Sequence, residues 1–410
     1  MLSEKSTATV RATLPVVGAA IGDITERFYA RLFEAHPDLL RDMFNRGNQA
    51  AGTQRLALAG SIAGFATHLV EQPGTRPDAM LSRIAHKHAS LGVSPAQYKV
   101  VHEHLFAAIV EVLGAAVTPD VAEAWDEVYW LMANALIAIE DRLSAERGHL
   151  AGGTWRDWEV VGRREETADV ASFLLRPAGG GKPQPFQAGQ YVSVQVELPD
   201  GARQIRQYSL TSAPDAMVRQ ISVKRERGAD TSPAGEVSNH LHDTVRVGQV
   251  LRISAPFGDL VLDAAASGAG EAAGSAEAQE RPLLLASAGI GVTPMVSILA
   301  ELVRRDHAAP VLVVHADRSP DTHALRSDQE ILAAKLANSR TLYWYETDAG
   351  ESGRAGLADL TDVEIPAGTA AFLCGPLPFM RSVREQLLAK GVPAADIHYE
   401  VFGPDLWLAA

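Results

Sequence analysis

A chain of 410 residues with 47% hydrophobic content has material for two to four packed domains. Its formal charge of −13 argues against nucleic acid or an anionic membrane face as partner. One cysteine, Cys374, excludes intramolecular disulfides and Cys-rich metal sites; with no signal-peptide pattern in Met1-Leu2-Ser3-Glu4-Lys5, a soluble, cytoplasmic monomer is expected.

Residues 1–148 read as helices only. Ile21, Ile24, Phe28 and Leu32, with Tyr29 and Phe33 offset, recur at helical spacing up to Pro37. Further helical patterns run over 52–70, with Leu56, Ile62, Ala63 and Leu69 inward, and over 79–91, 95–113 and 119–143. Pro95 and Pro119 stand in first-turn positions behind Ser94 and Thr118, both natural caps. Three polar groups are harder to explain as packing: His88 (with His86 before it), Tyr98 at a helix start, and Glu140 after the apolar run 130–139. A carboxylate on such a face needs a partner. A surface histidine, and a first exposed residue past a buried stretch, would give the same pattern.

Gly152-Gly153-Thr154 reads as a linker, and 154–263 changes to short β-rich runs at 158–161, 170–175, 190–196, 218–225 and 249–254. Gly- and Pro-rich turns separate them, as in an antiparallel barrel. Among them lies Arg206-Gln207-Tyr208-Ser209-Leu210, where Arg206, Tyr208 and Ser209 are read as sharing one face of an extended segment. They offer a cationic fork, an aromatic plate and a hydroxyl to a flat ring joined to a pyrophosphate; an ordinary strand would read the same way. Gly235-Glu236-Val237-Ser238-Asn239 is either a solvated turn or an anion-receiving segment. Residues 264–280 are Ala, Gly, Ser and Glu without an apolar anchor, and are expected to form a mobile loop.

From 281 to 410 the rhythm is strand, helix, strand, over 283–287, 294–305 and 311–315. The charge-free run 282–303 is long enough to suggest a membrane span. Gly289, Gly291 and Pro294 interrupt it, so strand, turn and helix are expected and no integral membrane segment. Gly289-Ile290-Gly291-Val292-Thr293-Pro294 departs from the strict dinucleotide fingerprint at its end. Its glycines still admit close backbone approach, and Thr293 and Pro294 open a helix. Phe372-Leu373-Cys374-Gly375-Pro376 ends a later strand, and Glu400-Val401-Phe402-Gly403-Pro404 lies near the C-terminus. Asp317 suits a ribose hydroxyl of NADH, Arg318 and Ser319 the 2′-phosphate of NADPH; the reading favours NADH.

On these residues the chain resembles the bacterial flavohemoglobins from end to end. The resemblance implies an all-α globin domain, an antiparallel β-barrel FAD domain and an α/β nucleotide-binding domain of ferredoxin-reductase type. It makes His88 the metal ligand of a heme b, with Lys87 beside it, Tyr98 and Glu140 behind it, and Tyr29, Gln54, Phe44 and Leu58 on the distal side. No Cys-x-x-Cys-His exists for covalent attachment. Tyr191, Arg206, Gln207, Tyr208, Ser209, Gly235, Val237 and Ser238 would meet FAD, and the 289–294 turn NAD(P)H. Cys374, Gly375 and Pro376 would lie by the nicotinamide, and the segment from Glu400 to Pro404 would set Phe402 against the flavin; Val401 stands where the family commonly has Cys. A His ligand backed by Tyr and Glu gains anionic character, which favours O2 activation over storage. Tyr29 and Gln54 would hydrogen-bond dioxygen. The implied activity is nitric oxide dioxygenation, converting NO and O2 to nitrate with electrons passed from NAD(P)H through FAD to heme iron. The alternatives are an NAD(P)H oxidase or hydroperoxide reductase on the same electron chain, or an oxygen-binding sensor with its own heme reductase.

Overall fold

The computed structural model describes residues 1–149, 153–228, 233–262, 280–351 and 353–404. Helix α1 (Glu4–Ala35) starts well before the periodic run at Ile21. Pro15 lies inside it and removes one backbone donor, which is why the helix was not legible there. Burial overrides the proline: Val10, Val17, Ile24, Phe28 and Leu32 line one buried stripe, each worth about 1.5–3 kcal/mol. Two short helices, α2 (Pro37–Asp42) and α3 (Arg46–Ala50), turn the chain into α4 (Thr53–Glu71), α5 (Asp78–Leu91), α6 (Pro95–Leu113) and α7 (Pro119–Glu146). The Thr118 hydroxyl accepts the Val121 N–H at 3.4 Å, and the Ser94 N–H donates to Gln97 Oε1 at 2.8 Å, so both prolines open capped helices. Leu56 does not point inward; it is 54% exposed, while Ala57, Phe65, Ala66 and Leu69 form the buried face. At 100° per residue it lies almost opposite Leu58.

Six strands follow: β1 (Arg156–Glu165), β2 (Val170–Pro177), β3 (Tyr191–Glu197), β4 (Arg203–Ser209), β5 (Arg219–Lys224) and β6 (Val250–Ile253). Their order is β4-β3-β6-β1-β2-β5, antiparallel throughout. The two edges meet where Leu210 bridges Ile221 and the Thr211 N–H reaches the Gln220 carbonyl at 2.8 Å, which closes the sheet into a barrel. Helix α8 (Glu236–Asp243) plugs it with Val237 and Leu241.

The last unit is a parallel sheet of β7 (Leu283–Ala288), β8 (Val311–Asp317), β9 (Ser339–Tyr345), β10 (Arg354–Ala355), β11 (Ala370–Cys374) and β12 (Ile397–Glu400), ordered β10-β9-β8-β7-β11-β12. Helices α9 (Val292–Arg304), α10 (Arg326–Lys335) and α11 (Leu377–Ala389) connect it. The order reverses between β7 and β11, the crevice where open α/β sheets take their ligands. The charge-free run is strand, turn and helix, and no helix among the described residues is long and apolar enough to cross a membrane. The expected mobile stretch lies, through residue 279, outside the described residues.

Helix α5 joins the helical unit to the others. His86 Nδ1 accepts the Gly258 N–H at 2.9 Å, Lys87 Nζ donates to the Gly403 carbonyl at 2.9 Å, and Arg83 stacks on Tyr399 at 4.2 Å. Burial, with Arg147 and Arg142 nearby, pushes the His86 imidazole down to about 3. Its neutral form therefore supports the fold fully above its unfolded value of about 6.5, and that support is lost as pH falls toward 3. Thermal unfolding should accordingly shift to lower temperature between about pH 6.5 and pH 4. The slope should flatten in His86→Asn; an unchanged slope would remove His86 from this role.

Candidate functional site

The buried stripe Ala133, Leu136 and Glu140 on α7 carries Glu140 into the protein, 3% exposed, and the start of α6 brings Tyr98 against it. The Tyr98 hydroxyl donates to Glu140 Oε1 at 2.5 Å. Burial and the Glu140 charge raise the Tyr98 phenol, so it keeps that proton. His88 Nδ1 lies 2.9 Å from both the Tyr98 oxygen and Glu140 Oε1. Because the Tyr98 proton is already given to the carboxylate, Nδ1 must be the donor, which leaves Nε2 with its lone pair. That nitrogen has no hydrogen-bond partner among the described residues, and the His88 side chain is 33% exposed beside two buried partners. A ring held this way is built to ligate. A lone imidazole anchored through Nδ1 fits a metal carried inside a macrocycle. His86 is turned away to Gly258.

Tyr29, from α1, is buried, and burial raises its phenol, so it remains a neutral donor. The Gln54 amide from α4 and the Gln49 amide from α3, which sequence reasoning missed, stand near enough to offset that rise in part, and Gln49 Nε2 is buried without a hydrogen-bond partner among the described residues. Phe44 stands edge-on to Tyr29 at 5.9 Å and to Phe33 at 5.3 Å, and Leu58 packs against the same core. Tyr29, Phe44 and Leu58 thus belong to one helical core.

On the barrel, Val194 pairs with Arg206 and Val192 with Tyr208. The Arg206 side chain is 19% exposed, and only its Nη1 is engaged, by Gln204 Oε1 (3.2 Å) and the Ile205 carbonyl (2.8 Å). Nε and Nη2 make no hydrogen bond among the described residues; Glu236 stands 4.0 Å from Nη2. A buried guanidinium with open donors fits an anionic ligand such as a pyrophosphate. Tyr208 packs on the barrel core near Val237. Ser209 corrects the sequence reading: the strand alternates, so it has the parity of Gln207 and not of Arg206 and Tyr208. Gln207 Nε2 donates to Ser193 Oγ (3.0 Å), which donates to Ser90 Oγ (2.9 Å), which donates to the Lys87 carbonyl (2.8 Å). Gln207 therefore faces α5. The Ser238 hydroxyl donates to the Gly235 carbonyl and accepts the Glu226 N–H, both at 3.2 Å. What remains for an anion there are the first-turn N–H groups of α8.

At the switch point, a Cβ on Gly291 would overlap the Cys374 carbonyl, so only glycine lets the 289–294 turn seat against β11. Thr293 Oγ1 donates to the Ile290 carbonyl at 2.9 Å, and Thr293 and Pro294 are buried in the first turn of α9. Cys374 is fully buried; burial and the Glu400 charge raise its thiol far above the usual range, which suits a packing residue and not a nucleophile. Glu400 pairs in register with Cys374, and its charge also raises the buried Tyr191 phenol, so β3, β11 and β12 converge here. Phe402 is 47% exposed just beyond. Asp317 is used internally through one oxygen: Oδ1 accepts from Thr322 (2.6 Å) and the Arg318 N–H (2.7 Å), while Oδ2 stands 3.5 Å from His315 and makes no hydrogen bond among the described residues. Arg318 is exposed, with no side-chain partner among the described residues.

Residues 26–136 match the globin family, and 285–385 the oxidoreductase NAD-binding domain. The chain is 40% identical to the flavohemoprotein of Chromobacterium violaceum over 98% of each chain. It is 39% identical to that of Rhizobium meliloti, over 99% of this chain and all of the other. The crystal structure of a Malassezia yamatoensis flavohemoglobin with bound FAD and heme superposes with a TM-score of 0.88 at 38% identity, over 98% of this chain and 100% of that one. The FAD/NAD-binding domain of a nitric oxide dioxygenase from Vibrio cholerae matches 61% of this chain, all of its own, at 36% identity and a TM-score of 0.54. With two such relatives aligned over nearly their whole length, the chain belongs to the flavohemoprotein family.

Proposed function

We propose that this chain is a nitric oxide dioxygenase, which turns nitric oxide and O2 into nitrate with electrons from NAD(P)H passed through FAD to heme. The observation that carries this reading is the His88–Tyr98–Glu140 arrangement, built into the same helical core that holds Tyr29, Phe44 and Leu58. Bound heme would supply O2 binding and one-electron chemistry, and bound FAD would split a hydride into single electrons. The protein's share is positioning and electrostatics. Glu140 and Tyr98 hold the His88 ring in the tautomer that leaves Nε2 free and make it a stronger donor. Tyr29 offers a buried, neutral hydroxyl, with the Gln54 and Gln49 amides beside it, in apolar surroundings where a donor is worth more than in water. Arg206 offers its open donors to the flavin pyrophosphate, with Tyr208 as the flat neighbour, while Gly291 and Cys374 shape the nicotinamide side. The internal use of Asp317 and the exposure of Arg318 support NADPH alongside NADH.

The test is anaerobic reduction of the holoprotein by NADH or NADPH, then mixing with O2 and nitric oxide while nitrate is measured. Two nitrates should form for each NAD(P)H consumed. Steady NAD(P)H oxidation without nitrate would identify an oxidase instead.

A further inference from the structure

Gln204 sits on β4 two residues before Arg206, on the same face, and is fully buried. Its single amide serves two places at once. On the barrel side, Oε1 accepts from Arg206 Nη1 at 3.2 Å. Toward the helical unit, Oε1 also accepts the Arg46 N–H at 3.3 Å, and Nε2 donates toward the carbonyls of Leu40 (3.3 Å), Arg41 (3.0 Å) and Phe44 (3.1 Å). Those carbonyls end α2 and form the turn that carries Phe44, whose ring stands against Tyr29. The last carbonyls of a helix lack partners within it, so a buried amide that supplies them determines how the turn sits. Surrounding ion pairs hold the same seam: Arg46 to Asp200 and Glu236, each at 2.7 Å, and Arg203 to Asp42 at 2.7 Å.

We propose that Gln204 is a positioning residue that couples flavin occupancy at Arg206 to the shape of the pocket around Phe44 and Tyr29. The proposal rests on the placement of FAD and heme given above. A pyrophosphate that draws Arg206 toward itself changes what Oε1 holds. Because one rigid amide carries both ends, a shift on its acceptor side moves the donors that fix the Phe44 carbonyl. The coupling is reciprocal: a ligand in the heme pocket must change FAD affinity by the same factor that FAD changes the ligand's affinity.

Carbon monoxide, a redox-inert ligand, reads this out. In heme-loaded protein, its dissociation constant with FAD present and with FAD removed should differ by about fivefold or more, the lower end of typical coupling. Gln204→Glu keeps an acceptor for Arg206 but loses the donors to the three carbonyls, so FAD should stay bound while the ratio falls toward one. Gln204→Met, which loses both ends at similar volume, should also bring the ratio toward one. If neither variant folds, Gln204→Asn, which keeps the amide but draws it back by one methylene, takes their place and should lower the ratio; an undiminished ratio there overturns the role of Gln204. A ratio of one in the unmodified protein, or an undiminished ratio in both variants, overturns the coupling alone. A purified chain lacking heme or flavin absorption overturns the functional reading and the coupling with it.

Discussion

His88→Ala should leave the chain without heme, while FAD binding and the fold of the other units persist. The His88 ring has its Nδ1 anchored by Tyr98 and Glu140, and its Nε2 makes no hydrogen bond among the described residues. Removing it takes away the sole protein bond to iron that the arrangement offers, and the apolar pocket alone cannot fix the metal. Heme per protein, read from the Soret absorbance after purification in excess hemin, should fall to near background. Glu140→Gln should be milder: loss of such a partner costs about 10–100-fold in affinity. His86→Ala is the control and should keep heme, since its ring is committed to Gly258. Heme lost from His86→Ala and kept by His88→Ala would reverse the assignment.

Tyr29→Phe should speed O2 release by roughly tenfold or more without slowing reduction of the flavin by NADH. A hydrogen bond from a neutral hydroxyl to a partly charged acceptor is worth about 1.5–3 kcal/mol, and about 1.4 kcal/mol is a factor of ten. Burial keeps the Tyr29 phenol protonated across the working pH range, so the donor is always available. Flash photolysis and stopped-flow release of O2 would measure the effect. Nitric oxide consumption should fall with O2 occupancy and recover partly at high O2. Release at the unmodified rate would take Tyr29 out of the pocket.

Much of this was legible because local signals and tertiary demands agree. The helices from 52 onward announced themselves through Pro95, Pro119 and their caps, and Glu140 was conspicuous because an apolar run led up to it. Helix α1 was cut short in the reading because Pro15 speaks against a helix locally, while the buried stripe that overrules it exists only in the packed unit. Ser209 departs from the face of Arg206 and Tyr208 because a strand alternates with a two-residue period, which puts a residue three along from Arg206 on the other side. Gln204, Gln49 and the Ser193–Ser90 link carried no signal: each partner is distant in the chain, and a glutamine or serine in a strand or short helix has no distinctive spacing. The fate of Asp317 was hidden for the same reason, since Thr322 and His315 claim its carboxylate only once the loop has folded.

The seam between the helical unit and the rest has a further consequence for how the sequence can change. Its contacts run largely from a side chain on one side to main-chain atoms on the other: His86 to the Gly258 N–H, Lys87 to the Gly403 carbonyl, Arg147 to the Pro256 carbonyl, and Gln204 to Leu40, Arg41 and Phe44. No substitution deletes a carbonyl, and only proline deletes an N–H. The receiving positions Leu40, Arg41 and Pro256 can therefore change their side chains while these contacts persist. Purifying selection should fall instead on the side chains that reach across, His86, Lys87, Arg147 and Gln204, on the ion pairs of Arg46 and Arg203, and on the positive-φ glycines Gly258 and Gly403.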